Sequence, residues 1–486
     1  MTEKPAISRR LVLGGAVATS ALAAGVGLAG PAAAVPATGA TSAAGAARGQ
    51  SDPRRRPGQK SMIGVPYEPH ETVRVACVGL GQRGTGMTAG WSIIPGAQVT
   101  AVCDIRKERA EKCADSLVSD GKPRPATYGG SAKSYREMLR REDIDLVYIA
   151  TPWEFHHEQG RAALLAGKHA IVELPVATEL SELWDLVDTS ERTRRHLFLA
   201  ENCSYGRNEL SMLKMTHDGL FGDVTNGHGG YLHDLRELLF DDDYYTDSWR
   251  RLWHTRSLAS FYPMHGLAPI AAAMDINRGD RLRTLRATAT PARGLADYRA
   301  RHVPKSHPSW KEEYINGDLV TCLIETEKGR IIRAEHDVSS PRPYSRINSI
   351  AGSRGIFEDY AGQGESGGRV YLEPDHTDHA WRDFDKLQKE FDHWLWVKLE
   401  EEAEAGGHGG MDYILQWRTI QQMRAGLVPD IDVYDSAAWC APVPLSVASL
   451  KADGRPVAVP DFTRGAWVNK RPGLDSKPSD MPAVRR

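Results

Sequence analysis

Cysteine is sparse and scattered in this chain. Six occur in 486 residues, at Cys77, Cys103, Cys113, Cys203, Cys322 and Cys440, with no C-x-x-C spacing and no dense framework. That excludes a paired-thiolate zinc site and a disulfide scaffold as the basis of folding, and Cys77 and Cys103 fall on apolar strands as small core residues. Excess charge of either sign is also missing. Lys and Arg number 61 against 63 Asp and Glu, for a formal net charge of −2, which offers no basis for binding nucleic acid or an anionic membrane surface. No internal repeat is found, and beyond about Gly30 no apolar run is long enough to span a bilayer.

What is present starts at the N-terminus. Ser8-Arg9-Arg10-Leu11-Val12-Leu13 precedes an Ala/Gly-rich apolar run and then Pro31-Ala32-Ala33-Ala34, whose alanines suit signal cleavage. This predicts a twin-arginine export signal over residues 1–34, delivering a secreted, periplasmic or cell-envelope protein through the twin-arginine machinery. Residues 35–65, rich in Ala, Gly, Pro, Ser and Arg and including Arg54-Arg55-Arg56, have no amphipathic period and are expected to form a mobile linker. The remaining length, with 41% hydrophobic residues overall, suffices for two domains.

The first of these is announced by Val73-Arg74-Val75-Ala76-Cys77-Val78-Gly79-Leu80-Gly81-Gln82-Arg83-Gly84, an apolar strand running into G-x-G-x-x-G. Gly79 serves the tight turn, Gly81 lets a pyrophosphate approach the backbone, and Gly84 allows the next helix to pack closely and present its N-terminus to the phosphates. A second strand ends in Asp104, placed to accept from both hydroxyls of an adenosine ribose, which favours NAD over NADP. Strand and helix patterns then alternate: a helix from Lys107 to about Val118, strands at 146–150 and 170–172, and a helix through Gln159 to Ala166. These predict an α/β fold with a doubly wound parallel sheet, a Rossmann domain over 66–201. Longer β-like runs at Leu319–Glu325 and Ile331–His336, and helices over Trp394–Glu404 and Met411–Gly426, predict an α+β domain over 202–450 with a broad, mainly antiparallel sheet. A C-terminal extension follows over 451–486, and its last twenty or so residues, rich in Pro, Lys and Arg, are expected to be loose.

Several further segments occur in one order: Thr151-Pro152-Trp153-Glu154-Phe155-His156, Glu201-Asn202-Cys203, Gly229-Gly230-Tyr231-Leu232-His233-Asp234-Leu235-Arg236, Tyr262-Pro263-Met264-His265-Gly266-Leu267, Pro341-Arg342-Pro343-Tyr344 and His408-Gly409-Gly410-Met411-Asp412. Together with the glycine motif they resemble the NAD-dependent family 109 glycoside hydrolases, within the glucose-fructose oxidoreductase and inositol dehydrogenase fold group, from about Val73 to Leu450. The resemblance implies that Gln82, Arg83, Asp104, Trp153, Glu154, Phe155, His156, Glu173, Leu174 and Asn202 line NAD. It implies that Tyr231, Arg250, Tyr262, Pro263, Met264, His265 and Tyr344 surround a sugar, with Tyr262 also near the cofactor. At Glu173-Leu174-Pro175 the chain departs from the Glu-Lys-Pro common in sugar dehydrogenases. Leu174 can neither donate, accept nor carry charge, which argues against a lysine-assisted dehydrogenase.

The type activity of that family is α-N-acetylgalactosaminidase. Its implied route oxidises the sugar C3 alcohol at the expense of NAD+, so that the ketone acidifies the C2 proton. A base removes it, the C1 substituent is eliminated, water adds, and reprotonation and re-reduction return a sugar of retained configuration with no net redox change. A captive cofactor suits export, because free NAD is scarce outside the cytoplasm. His265, three residues after Tyr262, is the leading acid/base, one helical turn presenting both. His228, His233 and Asp234 fit no strong ligand spacing, so no metal is expected. An exported NAD(P)-dependent sugar oxidoreductase and a non-catalytic sugar-binding protein remain alternatives. A homo-oligomer is compatible with the sequence but not specified by it.

Overall fold

The computed structural model describes residues 52–359, 368–373, 379–404 and 406–477. The expected export signal, residues 1–34, and residues 35–51 of the expected linker lie outside them. Among the described residues fifteen strands form two sheets: β1 (Val73–Val78), β2 (Ala97–Asp104), β3 (Ala126–Gly129), β4 (Leu146–Ile149), β5 (His169–Val172) and β6 (Leu197–Leu199) in the first, and β7 (Val224–Leu232), β8 (Leu282–Ala289), β9 (Leu319–Thr326), β10 (Ile331–Asp337), β11 (Asn348–Gly352), β12 (Gly355–Asp359), β13 (Gly368–Leu372), β14 (Arg382–Asp383) and β15 (Val457–Ala458) in the second. The first sheet is wholly parallel in the order β3-β2-β1-β4-β5-β6. Its central strands are buried on both faces, which is why β4 reads as an unbroken apolar run and β1 as one interrupted only by Arg74 near its start.

The second sheet runs β14-β13-β12-β11-β7-β10-β9-β8-β15. It is antiparallel except for the parallel pair β7 and β10, which sets Tyr231 beside His336. Burial alternates along β9 and β10, as a sheet with one covered face requires. The covering helix is Met264–Ala273, which packs against β7, β10 and β11. Gly229 and Gly266 make that approach possible: a Cβ on Gly229 would lie 2.2 Å from the Gly266 carbonyl oxygen, and one on Gly266 would lie 1.9 Å from the Gly230 nitrogen.

Two expectations are corrected. Residues 52–65 are docked rather than mobile. Met62 is 1% exposed, its N–H donates to the Tyr434 hydroxyl, and Arg55 makes a bidentate pair with Glu191. Glu191, fully buried, also accepts from Tyr434 at 2.5 Å and from Arg464 at 3.0 Å, so one carboxylate binds the N-terminal arm, two helices and the tail. The described part of the expected loose tail, residues 467–477, is likewise packed: Leu474 is buried and Arg471 pairs with Asp432 and Asp435, while ahead of it β15 pairs with β8 and Phe462 is buried. Composition misled because the ordering comes from long-range ion pairs, which leave no local period. The helices Met411–Ala425 and Val433–Cys440, although distant in sequence from the parallel sheet, pack back onto it. None of the described helices is long and apolar enough to cross a membrane.

Candidate active site

The carboxyl ends of β1, β2, β4 and β5 open into a cavity of about 590 Å³, whose far wall comes from the second sheet and its loops. Ligands of open parallel sheets sit at this edge. Each glycine of the fingerprint has its own steric reason. Gly79 has φ +85°, and a Cβ there would lie 2.6 Å from the Ala150 carbonyl oxygen. On Gly84 it would lie 1.7 Å from the Gly79 oxygen, whereas on Gly81 it would meet no protein atom within 4 Å and would project into open space. That bare backbone, at the start of the helix Gln82–Ile93, is the cradle a dinucleotide pyrophosphate needs. Asp104 closes the turn from behind, accepting from the N–H groups of Leu80 at 2.7 Å and Arg106 at 2.8 Å. Its remaining lone pairs suit ribose hydroxyls. These residues fit NAD.

Arg83 leaves the same turn for a closed network. Its guanidinium donates to Glu173 at 2.8 Å and to both Asp412 oxygens at 2.6 and 2.9 Å. Tyr148 donates to Glu173, and Asn202 and His408 to Asp412. Burial alone would raise the Asp412 pKa; Arg83 and His408 hold it below the usual carboxylate range. Asp412 was within a motif quoted from the sequence but not recognised as a site residue, because nothing local pairs it with a residue some 330 positions away.

Trp153–Leu165 is a helix, so Trp153, Glu154, Phe155 and His156 form its first turn, earlier than the predicted helix. Glu154 reaches across to Trp253 Nε1 at 3.2 Å. His156 borders the cavity, but its ring nitrogens face the Pro175 and Thr151 carbonyls, which makes it a brace for the loops after β4 and β5. Gln82, Glu173, Leu174 and Asn202 line the cavity. Arg106 pairs with Asp247 at 3.4 Å, and Arg109 donates to Thr246 at 2.8 Å, contacts between the two halves that sequence reasoning missed.

The opposite wall is aromatic. Tyr262 lies with its ring 4.9 Å from His265, 5.0 Å from Tyr231 and 6.1 Å from Trp153. Tyr344 meets Tyr231 edge-on at 5.9 Å, and the Tyr231 hydroxyl bonds His233 Nδ1 at 3.0 Å. The helix begins at Met264, not Tyr262, yet the three-residue spacing still brings Tyr262 and His265 onto the cavity. The same geometry corrects Pro263 and Met264: they turn away from the cavity, Met264 fully into the core.

His265 has a partner that was not expected. Its Nδ1–H donates to Glu201 at 2.8 and 3.1 Å, and Glu201, wholly buried, also accepts from the Cys203 N–H. The carboxylate fixes the tautomer and leaves Nε2 for a ligand. Glu201, Cys203 and His265 bring ligand-type atoms within 4.8 Å. Burial pushes the Cys203 thiol up and keeps it protonated, and Glu201 is already engaged, so the cluster is a hydrogen-bonded dyad in its chemistry.

Comparison with known proteins adds the lineage. Residues 205–469 match the model of the glycosyl hydrolase 109 C-terminal domain, and residues 73–201 the oxidoreductase family NAD-binding Rossmann fold. A glycosyl hydrolase family 109 protein of Streptomyces coelicolor is 73% identical over 99% of both chains. One from Saccharopolyspora erythraea is 50% identical over 88% of this chain and 91% of its own. Among solved structures, a levoglucosan dehydrogenase in complex with NADH and levoglucosan aligns with TM-score 0.61 and 17% identity over 80% of this chain and 100% of its own. An inositol dehydrogenase homolog of Azotobacter vinelandii complexed with NAD+ gives 0.61 and 17% over 81% and 99%. These two likenesses show the fold.

Proposed function

From a chain that belongs to glycosyl hydrolase family 109 and carries an NAD-binding Rossmann domain, we propose a retaining glycosidase that works by elimination and acts on terminal α-N-acetylgalactosamine. The observation that carries this reading is the juxtaposition of a dinucleotide cradle with the Glu201–His265 dyad in one aromatic-walled cavity. Gly79, Gly81, Gly84 and Asp104 would hold the cofactor, with Gln82, Trp153, Glu173, Leu174 and Asn202 along its sides. When bound, NAD supplies a reversible hydride acceptor for the sugar C3 carbon.

His265 Nε2 takes the C2 proton and later returns it, while Glu201 holds the ring in the competent tautomer and stabilises its cation. Tyr231, Tyr262 and Tyr344 offer flat apolar faces and hydroxyls, a combination that suits a pyranose ring. The Arg106–Asp247 and Arg109–Thr246 contacts join the two walls at the cavity, which favours retention of a cofactor that is regenerated in each cycle. Leu174 in place of a lysine supports hydrolysis over net oxidation. Export through the twin-arginine route with cofactor already loaded belongs to the same reading, supported by Arg9-Arg10 ahead of the apolar run.

Aryl α-N-acetylgalactosaminide, assayed beside aryl galactosides and glucosides of both anomers, tests the substrate. Release from the α-N-acetylgalactosaminide is expected to be fastest. Preference for another glycoside rejects the substrate but keeps the class, and paired oxidised and reduced sugars without hydrolysis reject the class.

A further inference from the structure

A guanidinium that is nine-tenths buried ordinarily faces a carboxylate. Arg250 does not. It is 7% exposed, its Nη1 donates to the Tyr245 hydroxyl at 2.9 Å, its Nη2 is shielded from solvent and makes no hydrogen bond of ordinary geometry, and the neutral Tyr231 hydroxyl is the other polar group its charge acts on. The rings of Trp153, Tyr231, Tyr245 and Tyr262 lie 5.3, 5.9, 5.4 and 5.0 Å from its central carbon. Among the described residues no carboxylate lies within ion-pair distance of it. Its other neighbours are histidines, and these do not compensate it either. Burial and the Arg250 charge hold His254 down at about 3 and His233 at about 4, and push His336 well below its ordinary value. The result is a dry, preformed positive charge on the wall of the cavity.

Such a charge has little to gain from a neutral sugar and much to gain from an anion. The cation–π contacts around it are modest, about 0.5–2 kcal/mol each, and cost no reorganisation when a negative oxygen forms nearby. A group that binds the intermediate better than the substrate is what raises turnover.

We propose that Arg250 is a catalytic residue that stabilises the oxyanion formed on C3 of the sugar when the C2 proton departs. The assignment rests on the elimination route described above, in which prior oxidation by NAD+ supplies the C3 ketone. The C2–H bond breaks and its proton passes to His265 Nε2. The bonding pair becomes the C2=C3 double bond, the carbonyl pair moves onto the C3 oxygen, and the negative charge on that oxygen is stabilised by the Arg250 guanidinium on the cavity wall. Collapse of the enolate re-forms C3=O, creates C1=C2 and expels the C1 substituent with its bonding pair. No further oxidant or reductant is needed.

The test separates deprotonation from departure of the leaving group. The NAD-loaded protein is incubated in heavy water with 1,5-anhydro-2-acetamido-2-deoxygalactitol, which has no C1 leaving group, and deuterium at C2 is followed by NMR. Arg250→Gln is expected to lower C2 deuteration by about 10²–10³-fold, with the dissociation constant of the analogue changed less than about tenfold and cofactor content intact. Arg250→Lys keeps the charge within the ring cage but loses the forked donor; it is expected to lose at least about tenfold and serves if the glutamine variant does not fold. Deuteration at the wild-type rate in either folded variant overturns the assignment. A rise in dissociation constant that accounts for the whole loss also overturns it, making Arg250 a binding group. No exchange in the wild type overturns the elimination reading itself and the assignment with it.

Discussion

Arg83 and Arg250 line the same cavity, yet Arg83 is clamped between Glu173 and Asp412 while Arg250 is held among four aromatic rings with Nη2 unanswered. On the cofactor side, polar groups close on one another, so the turn that receives the dinucleotide is rigid before anything binds. On the sugar side, charge and donors are left open, at a cost in stability that only a ligand can offset. On the proposed reading the contrast divides the labour: one half would hold the cofactor, the other would respond to charge that forms during reaction.

The largest effect is expected at the boundary between the halves. His265→Ala removes the acid/base and leaves the Arg83 network untouched, so turnover should fall by about 10²–10⁴ while extracted NAD remains stoichiometric. Loss of NAD in parallel with activity would mean that the halves are not separable. Asp412→Ala attacks the closed side directly. It strips Arg83 of one carboxylate and leaves the Asn202 amide unpaired, and breaking a buried pair in this way costs about 3–5 kcal/mol, measurable by denaturant unfolding. The same measurement on Arg250→Gln should give a smaller loss, since no carboxylate is stranded; equal losses would erase the distinction.

Acid offers a gentler probe. His254 and His336 are buried with folded-state values below the ordinary 6.5. Their contribution to stability is therefore full above about pH 6.5 and falls as the pH drops toward those folded values, by up to about 1.4 kcal/mol per pH unit for each. Asp412 has its folded value below 3.8, so its contribution persists until the pH falls through that lower range. The open side should weaken first. Unfolding free energies between pH 6.5 and 5 should show a slope that His254→Asn reduces by about one proton; an unchanged slope would place that histidine elsewhere in the balance.

The closed half was also the more legible in the sequence. A strand, three glycines and an acid in register describe a backbone conformation, and backbone conformation is written locally: Gly79, Gly84 and Asp104 stand where the motif put them. The parallel sheet and the helices Lys107–Ser119 and Trp394–Glu404 followed from periodicity for the same reason. His265 was legible as the acid/base, but Glu201 as its partner and Asp412 escaped notice as working residues, since their roles depend on partners 64 and 329 positions away. Pro263 and Met264 were drawn toward the sugar by adjacency in a motif, whereas neither is among the residues lining the cavity and Met264, in the first turn of the helix, packs into the core. The docked arm at 52–65 and the packed tail escaped because Glu191, Asp432 and Asp435 order them through long-range ion pairs that carry no compositional signature.

The central claim is that this protein breaks and remakes the sugar C2–H bond in the course of hydrolysis. Its most direct test is hydrolysis of aryl α-N-acetylgalactosaminide in heavy water by the NAD-loaded protein, with the released sugar analysed by NMR. The account predicts deuterium at C2 of the product and loss of label from substrate deuterated there. Product formed with C2 fully protiated, at the same rate of hydrolysis, would contradict it and point to direct displacement at C1.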